Sequence, residues 1–203
     1  MSISAHVSDG DGPGGEDPRV TLGQLIVFHR GEWTEADYNA LPEGVHVELH
    51  DGRLILVPEP TYEHQYAARV LANDLSEAIG DPHLVVGPVD VRMADGHRYR
   101  SPDLVVLRSR YRGRPADPQN VQLVAEIVSP GGGDEYDQKM IVYAEAGIAW
   151  YLIVQETPAG YFAELYELET TSNKYVRHSA TAPAGELDLP EPFHGTLRLR
   201  QLS

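Results

Sequence analysis

The chain has 203 residues, 41% of them hydrophobic and 23% charged, which is typical of a single globular domain. It contains no cysteine, which excludes disulfide frameworks, thiolate metal sites and a cysteine nucleophile. No apolar run is long enough to span a membrane and no secretory signal is visible, so we expect a cytoplasmic protein. The net charge of −15 repels nucleic acid on average.

The charge is distributed unevenly along the chain. Residues 1–91 carry 16 acids and four arginines, and residues 115–203 carry 13 acids and five bases. Between them, residues 92–114 carry seven arginines against two aspartates, a net charge of +5. We call residues 92–114 the basic segment. Only two of the 16 bases are lysines, Lys139 and Lys174.

The first residues differ in composition from the rest of the chain. Residues 1–18 are rich in Gly, Asp, Ser and Pro and have few large apolar side chains. Such a segment buries too little apolar surface to offset the entropy lost on ordering. We therefore predict a disordered or poorly packed tail over residues 1–18 and a single domain over residues 19–203.

The first half of this domain predicts a hairpin, a long helix and short strands. Thr34 is a candidate N-cap of a short helix, and Asp51-Gly52 predicts a tight turn between strands at 45–49 and 53–57. A helix is expected from about Thr61 to Ile79, ended by Gly80. Strand patterns follow at 84–86, 89–93 and 104–107, with a second hairpin turn at Asp95-Gly96.

The second half continues with an apolar strand at 123–128, a flexible joint at 130–133 and a helix from Asp134 to about Ala146. Strands at 150–154, 161–168 and 175–177 complete the pattern, and the Arg- and Pro-rich residues 110–120 predict a loop. The element order indicates an α+β or mixed α/β domain, with one central mixed sheet flanked by helices and an N-terminal hairpin.

Two acids lie at apolar strands, where an ionised carboxylate is costly to bury unless it is paired or binds a metal. Asp103 precedes one strand and Glu126 lies inside another. On neighbouring strands these carboxylates would converge on one cation, and hard oxygen ligands suit Mg²⁺ or Mn²⁺. The alternative is that each acid caps a loop or pairs with an arginine of the basic segment.

Three further side chains are candidates for the same site. Glu48 is either a third carboxylate at the metal or an outward-facing strand position. Lys139 shares a helical face with Glu135 and Tyr143, and either stabilises negative charge on a phosphate or forms a surface pair with Glu135. His64 lies near the start of the long helix and is either a general base or phosphate ligand, or a structural histidine.

Six stretches of the chain occur in a fixed order with short gaps, namely Val47-Glu48-Leu49-His50-Asp51-Gly52, Tyr62-Glu63-His64-Gln65, Ser101-Pro102-Asp103-Leu104-Val105-Val106, Ala125-Glu126-Ile127-Val128-Ser129-Pro130, Asp137-Gln138-Lys139 with Tyr143-Ala144-Glu145-Ala146-Gly147, and Trp150-Tyr151-Leu152-Ile153-Val154. In this order they resemble the Uma-type family of putative restriction endonucleases, within the PD-(D/E)XK nuclease superfamily. The similarity runs from about Trp33 to about Leu199.

The resemblance implies a restriction-endonuclease-like core that hydrolyses phosphodiester bonds of DNA with Mg²⁺, for which Mn²⁺ would substitute. Asp103 would be the PD aspartate and Glu126 the acid of the second motif, both metal ligands, with Glu48 as a further ligand. The superfamily's lysine is expected two residues after that acid, where Val128 stands.

For that missing lysine, the resemblance implies a replacement from the following helix, and Lys139 occupies the matching position. His64 matches a further polar position of the family, as does Glu48, and both would belong to the catalytic machinery.

The basic segment would supply the contacts to DNA phosphates. The arginines concerned are Arg98, Arg100, Arg108, Arg110, Arg112 and Arg114. The acidic net charge opposes DNA binding, unless this segment suffices locally or a homodimer combines two of them. An alternative function is a catalytically weak or inactive domain of the same fold that acts as a binding or assembly module. A carbohydrate hydrolase with Asp103 and Glu126 as acid and base lacks the aromatic platform expected of it.

Overall fold

The computed structural model of the chain describes residues 31–42, 45–57, 59–93, 98–111, 115–129 and 134–202, with the side chains of residues 134–137 excepted. Five sequence predictions lie outside the described residues. They are the tail over residues 1–18, the turn at Asp95-Gly96, the joint at 130–133, and the phosphate contacts of Arg112 and Arg114.

Three α-helices are described, and they begin and end where local sequence signals predict. They are α1 (Glu35–Asn39), α2 (Tyr62–Ile79) and α3 (Asp134–Glu145). The Thr34 side chain accepts a hydrogen bond from the Asp37 amide, and Asp37 bonds back to the amide of Thr34 in a capping box. Thr61 caps α2, which ends at Gly80 with φ +75°, a left-handed conformation that favours glycine. In the described part of the chain, no helix has the length and apolar character needed to cross a membrane.

The strands of the described residues form one large sheet and two small ones. They are β1 (Val47–His50), β2 (Arg53–Leu56), β3 (Val85–Val86), β4 (Val91–Arg92), β5 (Tyr99–Arg100), β6 (Leu104–Leu107), β7 (Val121–Val128), β8 (Trp150–Thr157), β9 (Gly160–Glu169), β10 (Lys174–Ala180), β11 (Glu186–Leu189) and β12 (Gly195–Arg198). The large sheet has the order β10-β9-β8-β7-β6-β3, in which β7 and β8 are parallel and the other neighbours antiparallel. Helix α3 connects the parallel pair, as a crossover must.

The large sheet carries a hydrophobic layer on each face. Leu71 and Leu75 of α2 pack on one face, and Val142 and Tyr143 of α3 belong to the cluster on the other. Successive side chains of a strand point to opposite faces. In β7, residues 124 and 128 belong to the α3 cluster, so Glu126 between them points to the same face. The strand with the acid is therefore covered on both sides.

A four-stranded sheet with the order β2-β1-β5-β4 contains the predicted N-terminal hairpin. Its core includes Tyr38 and Tyr99, whose rings stack with centroids 4.6 Å apart. Strands β11 and β12 pair in a separate two-stranded sheet, which the sequence analysis did not predict. The α+β fold class with a central mixed sheet and flanking helices is confirmed, and the two small sheets add to it.

Gly87 follows β3 and lies directly against the backbone of Asp103. A Cβ atom at this position would stand 2.1 Å from the Asp103 carbonyl oxygen and 3.0 Å from the Cα of Leu104. Because backbone cannot yield as a flexible side chain does, we expect Gly87→Ala to destabilise the protein by about 1–3 kcal/mol. Urea denaturation checks this, and an unchanged unfolding midpoint would contradict the close packing.

Candidate active site

Asp103 and Glu126 lie on adjacent strands. In the β6–β7 ladder Leu104 pairs with Ala125, so one further step along this register brings Asp103 opposite Glu126. The amide of Ile127 donates a hydrogen bond of 2.7 Å to Oδ2 of Asp103. Asp103 also has the strand parity of Val105 and Leu107, which face α3 as Glu126 does. The two acids thus belong to one end and one face of the sheet.

His64 reaches Asp103 from the first turn of α2. Its Nε2 atom lies 2.9 Å from Oδ1 of Asp103, and both side chains are partly exposed. The hydrogen bond to Asp103 raises the pKa of His64, against the opposing effect of partial burial. The negative charges of Asp103 and Glu126 act in the same direction. The protonated imidazole is therefore favoured relative to an isolated histidine.

Glu126 is buried, with 5% of its surface exposed, and both of its carboxylate oxygens have partners. The Tyr143 hydroxyl donates a hydrogen bond of 2.6 Å to Oε1, and Nζ of Lys139 lies 3.0 Å from Oε2. Burial raises the pKa of Glu126 to about 7; the charges of Asp103 and Glu48 add to the rise, while Lys139 and the Tyr143 bond oppose it. Loss of the Lys139 ammonium would therefore raise the pKa of Glu126 further and favour its neutral form.

The lysine that contacts Glu126 comes from helix α3 and not from β7. Val128 is 6% exposed and belongs to the apolar cluster between the sheet and α3, where a lysine ammonium would be costly. Lys139 and Tyr143 are four residues apart on α3, so they project from one helical face. Since α3 is the crossover that follows β7, this face meets Glu126 from above the sheet.

Glu48 lies in β1 and links the four-stranded sheet to the segment that precedes Asp103. The Ser101 amide donates to Oε1 over 3.0 Å, His50 Nε2 lies 2.7 Å from Oε2, and Arg100 Nε lies 3.9 Å from Oε2. Burial acts to raise the pKa of Glu48, but the His50 hydrogen bond, the Lys139 charge and the Ser101 amide together lower it below its ordinary value. Glu48 is thus an ionised anchor for Ser101, two residues before Asp103.

Among the arginines predicted to contact phosphates, the four that the structure describes differ in their surroundings. Arg100 requires a correction, because it is 4% exposed and donates to the carbonyl of Leu49, so it serves the interior around Glu48. Arg98 pairs with Glu145 at 2.8 Å, and Arg110 pairs with Asp81 at 3.2 Å on the exposed surface. Arg108 is exposed. The number of arginines was enough to predict that the segment is positively charged. It did not predict which of their side chains point outward.

The donor chemistry of the site fits a hard divalent cation, since Asp103, Glu126 and Glu48 offer carboxylate oxygens. In the present arrangement each of those six oxygens already accepts a bond or ion pair from the protein. Within the described ranges, no three His, Asp or Glu side chains are grouped so that they could hold a metal together. Two carboxylates completed by water and substrate phosphate suffice for Mg²⁺, so Asp103 and Glu126 fit this role without Glu48.

Sequence reasoning missed two partners of these acids. His50 lies two residues after Glu48 and so on the same face of β1, but it was not among the predicted site residues. Tyr143 was noted only as sharing a face with Lys139. The four-residue spacing of Lys139 and Tyr143 shows that the two side chains share a helical face. Only the position of α3 over the sheet shows that this face meets Glu126.

Comparisons with known proteins agree with this architecture. A family model described as "Uma2: Putative restriction endonuclease" matches residues 35–201. The crystal structure of a putative nuclease belonging to DUF820 from Anabaena variabilis ATCC 29413 has a TM-score of 0.60 and 15% sequence identity, and the match covers 83% of this chain and 96% of that chain. At this identity the likeness establishes the restriction-endonuclease-like fold alone. No curated protein matches the sequence. Since the family model spans most of the chain, the protein belongs to the Uma2 family of putative restriction endonucleases.

Proposed function

We propose that the protein is a divalent-metal-dependent endonuclease that hydrolyses phosphodiester bonds of DNA. The observation that carries this proposal is the meeting of three groups from separate elements at one end of the large sheet. Lys139 on α3 lies 3.0 Å from Glu126 on β7, and Asp103 before β6 bonds to the amide that follows Glu126. A buried acid with a lysine in contact and a second acid beside them are groups that metal-assisted phosphoryl chemistry can use.

Asp103 and Glu126 would hold the cation, with Mg²⁺ as the natural ion and Mn²⁺ as its substitute. When bound, the cation would supply Lewis-acid chemistry, polarising the phosphate oxygens and making water a better nucleophile. The burial of Glu126 supports this assignment, because a cation relieves the repulsion that Asp103 and Glu48 exert on its charge.

The remaining residues of the site have distinct proposed roles. Lys139 stabilises the negative charge that develops on the phosphate and orients the attacking water. His64, whose pKa Asp103 raises, is better suited as a protonated phosphate ligand than as a general base. Glu48 fixes the Ser101 amide and so sets the path of the chain into Asp103. In this role Glu48 is a positioning residue. The alternative role proposed for it is direct ligation of the metal.

Exposed arginines of the basic segment are proposed to contact the DNA backbone. Arg108 and Arg110 remain available on the surface, since Arg110 is held by a single exposed pair with Asp81. Exposed ion pairs of this type contribute little stability, so a phosphate can replace Asp81 at small cost. These contacts would have to overcome the repulsion from a chain with a net charge of −15.

A second candidate function is a binding or assembly module without catalysis. The observation that favours it is that every carboxylate oxygen of the three acids is already engaged by the protein. In such a module Lys139 and His64 would be permanent structural partners of the acids, and no cation would be needed.

Divalent-metal titration separates the two functions. A cation that binds only the folded state at a hundredfold excess over its Kd adds about 2.7 kcal/mol, and each kcal/mol raises Tm by about 2–4 °C in a domain of this size. We expect saturating Mn²⁺ to raise Tm by several degrees in wild type, and to act as strongly in Lys139→Ala. The shift should vanish in Asp103→Ala and Glu126→Ala.

Cleavage is measured on the same proteins with supercoiled plasmid and single-stranded DNA, in Mg²⁺, in Mn²⁺ and in EDTA. We expect cleavage by wild type in the presence of metal and its loss in EDTA and in Lys139→Ala. An equal Tm in Mn²⁺ and EDTA for all four proteins, with intact plasmid throughout, would contradict the nuclease and leave the binding module.

A further inference from the structure

Tyr143 is a fully buried side chain whose hydroxyl group contacts the site. Its exposed fraction is 0%, and its hydroxyl donates a hydrogen bond of 2.6 Å to Oε1 of Glu126. We propose that Tyr143 is a positioning residue that fixes the orientation of the Glu126 carboxylate for metal binding and catalysis. This inference rests on the nuclease function proposed above.

The geometry gives Tyr143 and Lys139 complementary roles. They hold the two oxygens of one carboxylate, Tyr143 at Oε1 and Lys139 at Oε2. A carboxylate held at a single oxygen can still rotate about its terminal bond, where rotamer wells are broad. Held at both oxygens by a single helix, it has one orientation. The Tyr143 hydroxyl at Oε1 and the Lys139 ammonium at Oε2 together set the plane of the carboxylate that would hold the cation.

The hydroxyl group is needed for this role, and the ring alone is not. The Tyr143 ring packs edge-on against Tyr151 with centroids 5.4 Å apart, an apolar contact that phenylalanine would preserve. The 2.6 Å bond is in the range of charge-assisted hydrogen bonds to carboxylates, which are stronger than neutral ones. Burial, assisted by the Glu126 charge, raises the pKa of Tyr143 well above its ordinary value, so the hydroxyl keeps the proton that it donates.

The chain offers a matched control for the loss of one buried hydroxyl. Tyr151 is also 0% exposed and belongs to the same aromatic pair, but it lies on β8 opposite Val124, two residues from Glu126. Tyr143→Phe and Tyr151→Phe therefore remove the same group from neighbouring rings. Replacement of Tyr143 by 4-aminophenylalanine provides a second variant, which keeps the ring and returns an N–H donor.

The test compares these proteins in two assays, Mn²⁺ affinity by calorimetry without DNA, and kcat and KM for plasmid cleavage. Removing a group that orients a metal ligand typically costs 10–100-fold in metal affinity or activity. We expect a loss of about this size in Mn²⁺ affinity and kcat for Tyr143→Phe, with KM for DNA unchanged. Tyr151→Phe should resemble wild type, and 4-aminophenylalanine should recover most of the loss.

The outcomes separate this inference from the function on which it rests. If Tyr143→Phe and Tyr151→Phe bind Mn²⁺ and cleave equally well, or if 4-aminophenylalanine behaves as phenylalanine does, Tyr143 is structural and the nuclease function stands. If wild type neither binds Mn²⁺ nor cleaves, the proposed function fails, and the positioning role fails with it. A rise in KM at constant kcat would overturn the positioning role alone, since it would indicate contact with DNA.

Discussion

Asp103→Asn is expected to lower the rate of DNA cleavage by about 10³-fold or more, because the several kcal/mol of charge stabilisation supplied through the cation would be lost. Asparagine has nearly the same shape as aspartate, and its carbonyl oxygen can still accept the hydrogen bond from the Ile127 amide. What the substitution removes is the negative charge beside Glu126 and His64. The effect should therefore fall on catalysis and metal binding, with the fold retained.

Single-turnover cleavage of plasmid in saturating Mn²⁺ measures this loss, and circular dichroism verifies that the variant is folded. Asp188→Asn is the matched control, since Asp188 is an exposed aspartate of β11 that accepts a hydrogen bond from Thr196. We expect the control to cleave as wild type does. A folded Asp103→Asn protein that cleaves within about tenfold of wild type would rule out Asp103 as a metal ligand.

Glu126→Gln is expected to stabilise the metal-free protein by about 3 kcal/mol at pH 8, although it removes the partner of Lys139. The pKa of Glu126 is raised from 4.5 to about 7, so ionising it costs more free energy in the folded than in the unfolded protein. At 1.36 kcal/mol for each pKa unit, that difference amounts to about 3 kcal/mol above pH 7. Glutamine has the shape of the protonated acid and carries no such cost.

The sign of the pH dependence follows from the same shift. Between pH 4.5 and about 7 the folded protein binds more protons at Glu126 than the unfolded one, so its contribution to stability falls as pH rises. Urea denaturation in EDTA at pH 5 and pH 8 measures this. We expect the unfolding free energy of wild type to fall by about 2–3 kcal/mol more than that of Glu126→Gln over this interval. A parallel pH dependence for the two proteins would contradict a raised pKa.

Much of the fold could be predicted because its signals are local. Helix α2 begins at a capping threonine and ends at a left-handed glycine, and both residues are visible in the sequence. The hairpin of β1 and β2 turns at Asp51 and Gly52, both of which have positive φ. Strands β11 and β12 were missed although Glu186–Leu189 alternates exposed polar and buried apolar residues. The five residues that connect them, 190–194, contain no two-residue turn signal of the kind found at Asp51-Gly52.

The site could be predicted less completely, since its contacts join residues far apart in sequence. Asp103 and Glu126 could be proposed from the cost of a carboxylate at an apolar strand. The pairing of Glu48 with Ser101 joins positions 53 residues apart, and no periodicity in the sequence reports it. Arg100 was predicted as a surface cation because it lies in a basic segment, but the pairing of β5 with β1 places it in the interior.

The hydrogen bond from the Ile127 amide to Asp103 also gives the protein a built-in spectroscopic reporter. This amide is adjacent to one acid of the site and donates directly to the other, over 2.7 Å. A short bond to an ionised acceptor is stronger than one to a neutral acceptor, so the proton resonance of this amide should shift when the charge of Asp103 changes. In ¹H–¹⁵N spectra of the uniformly ¹⁵N-labelled protein, that single peak would follow the occupancy of the site without any added probe, inhibitor or substrate.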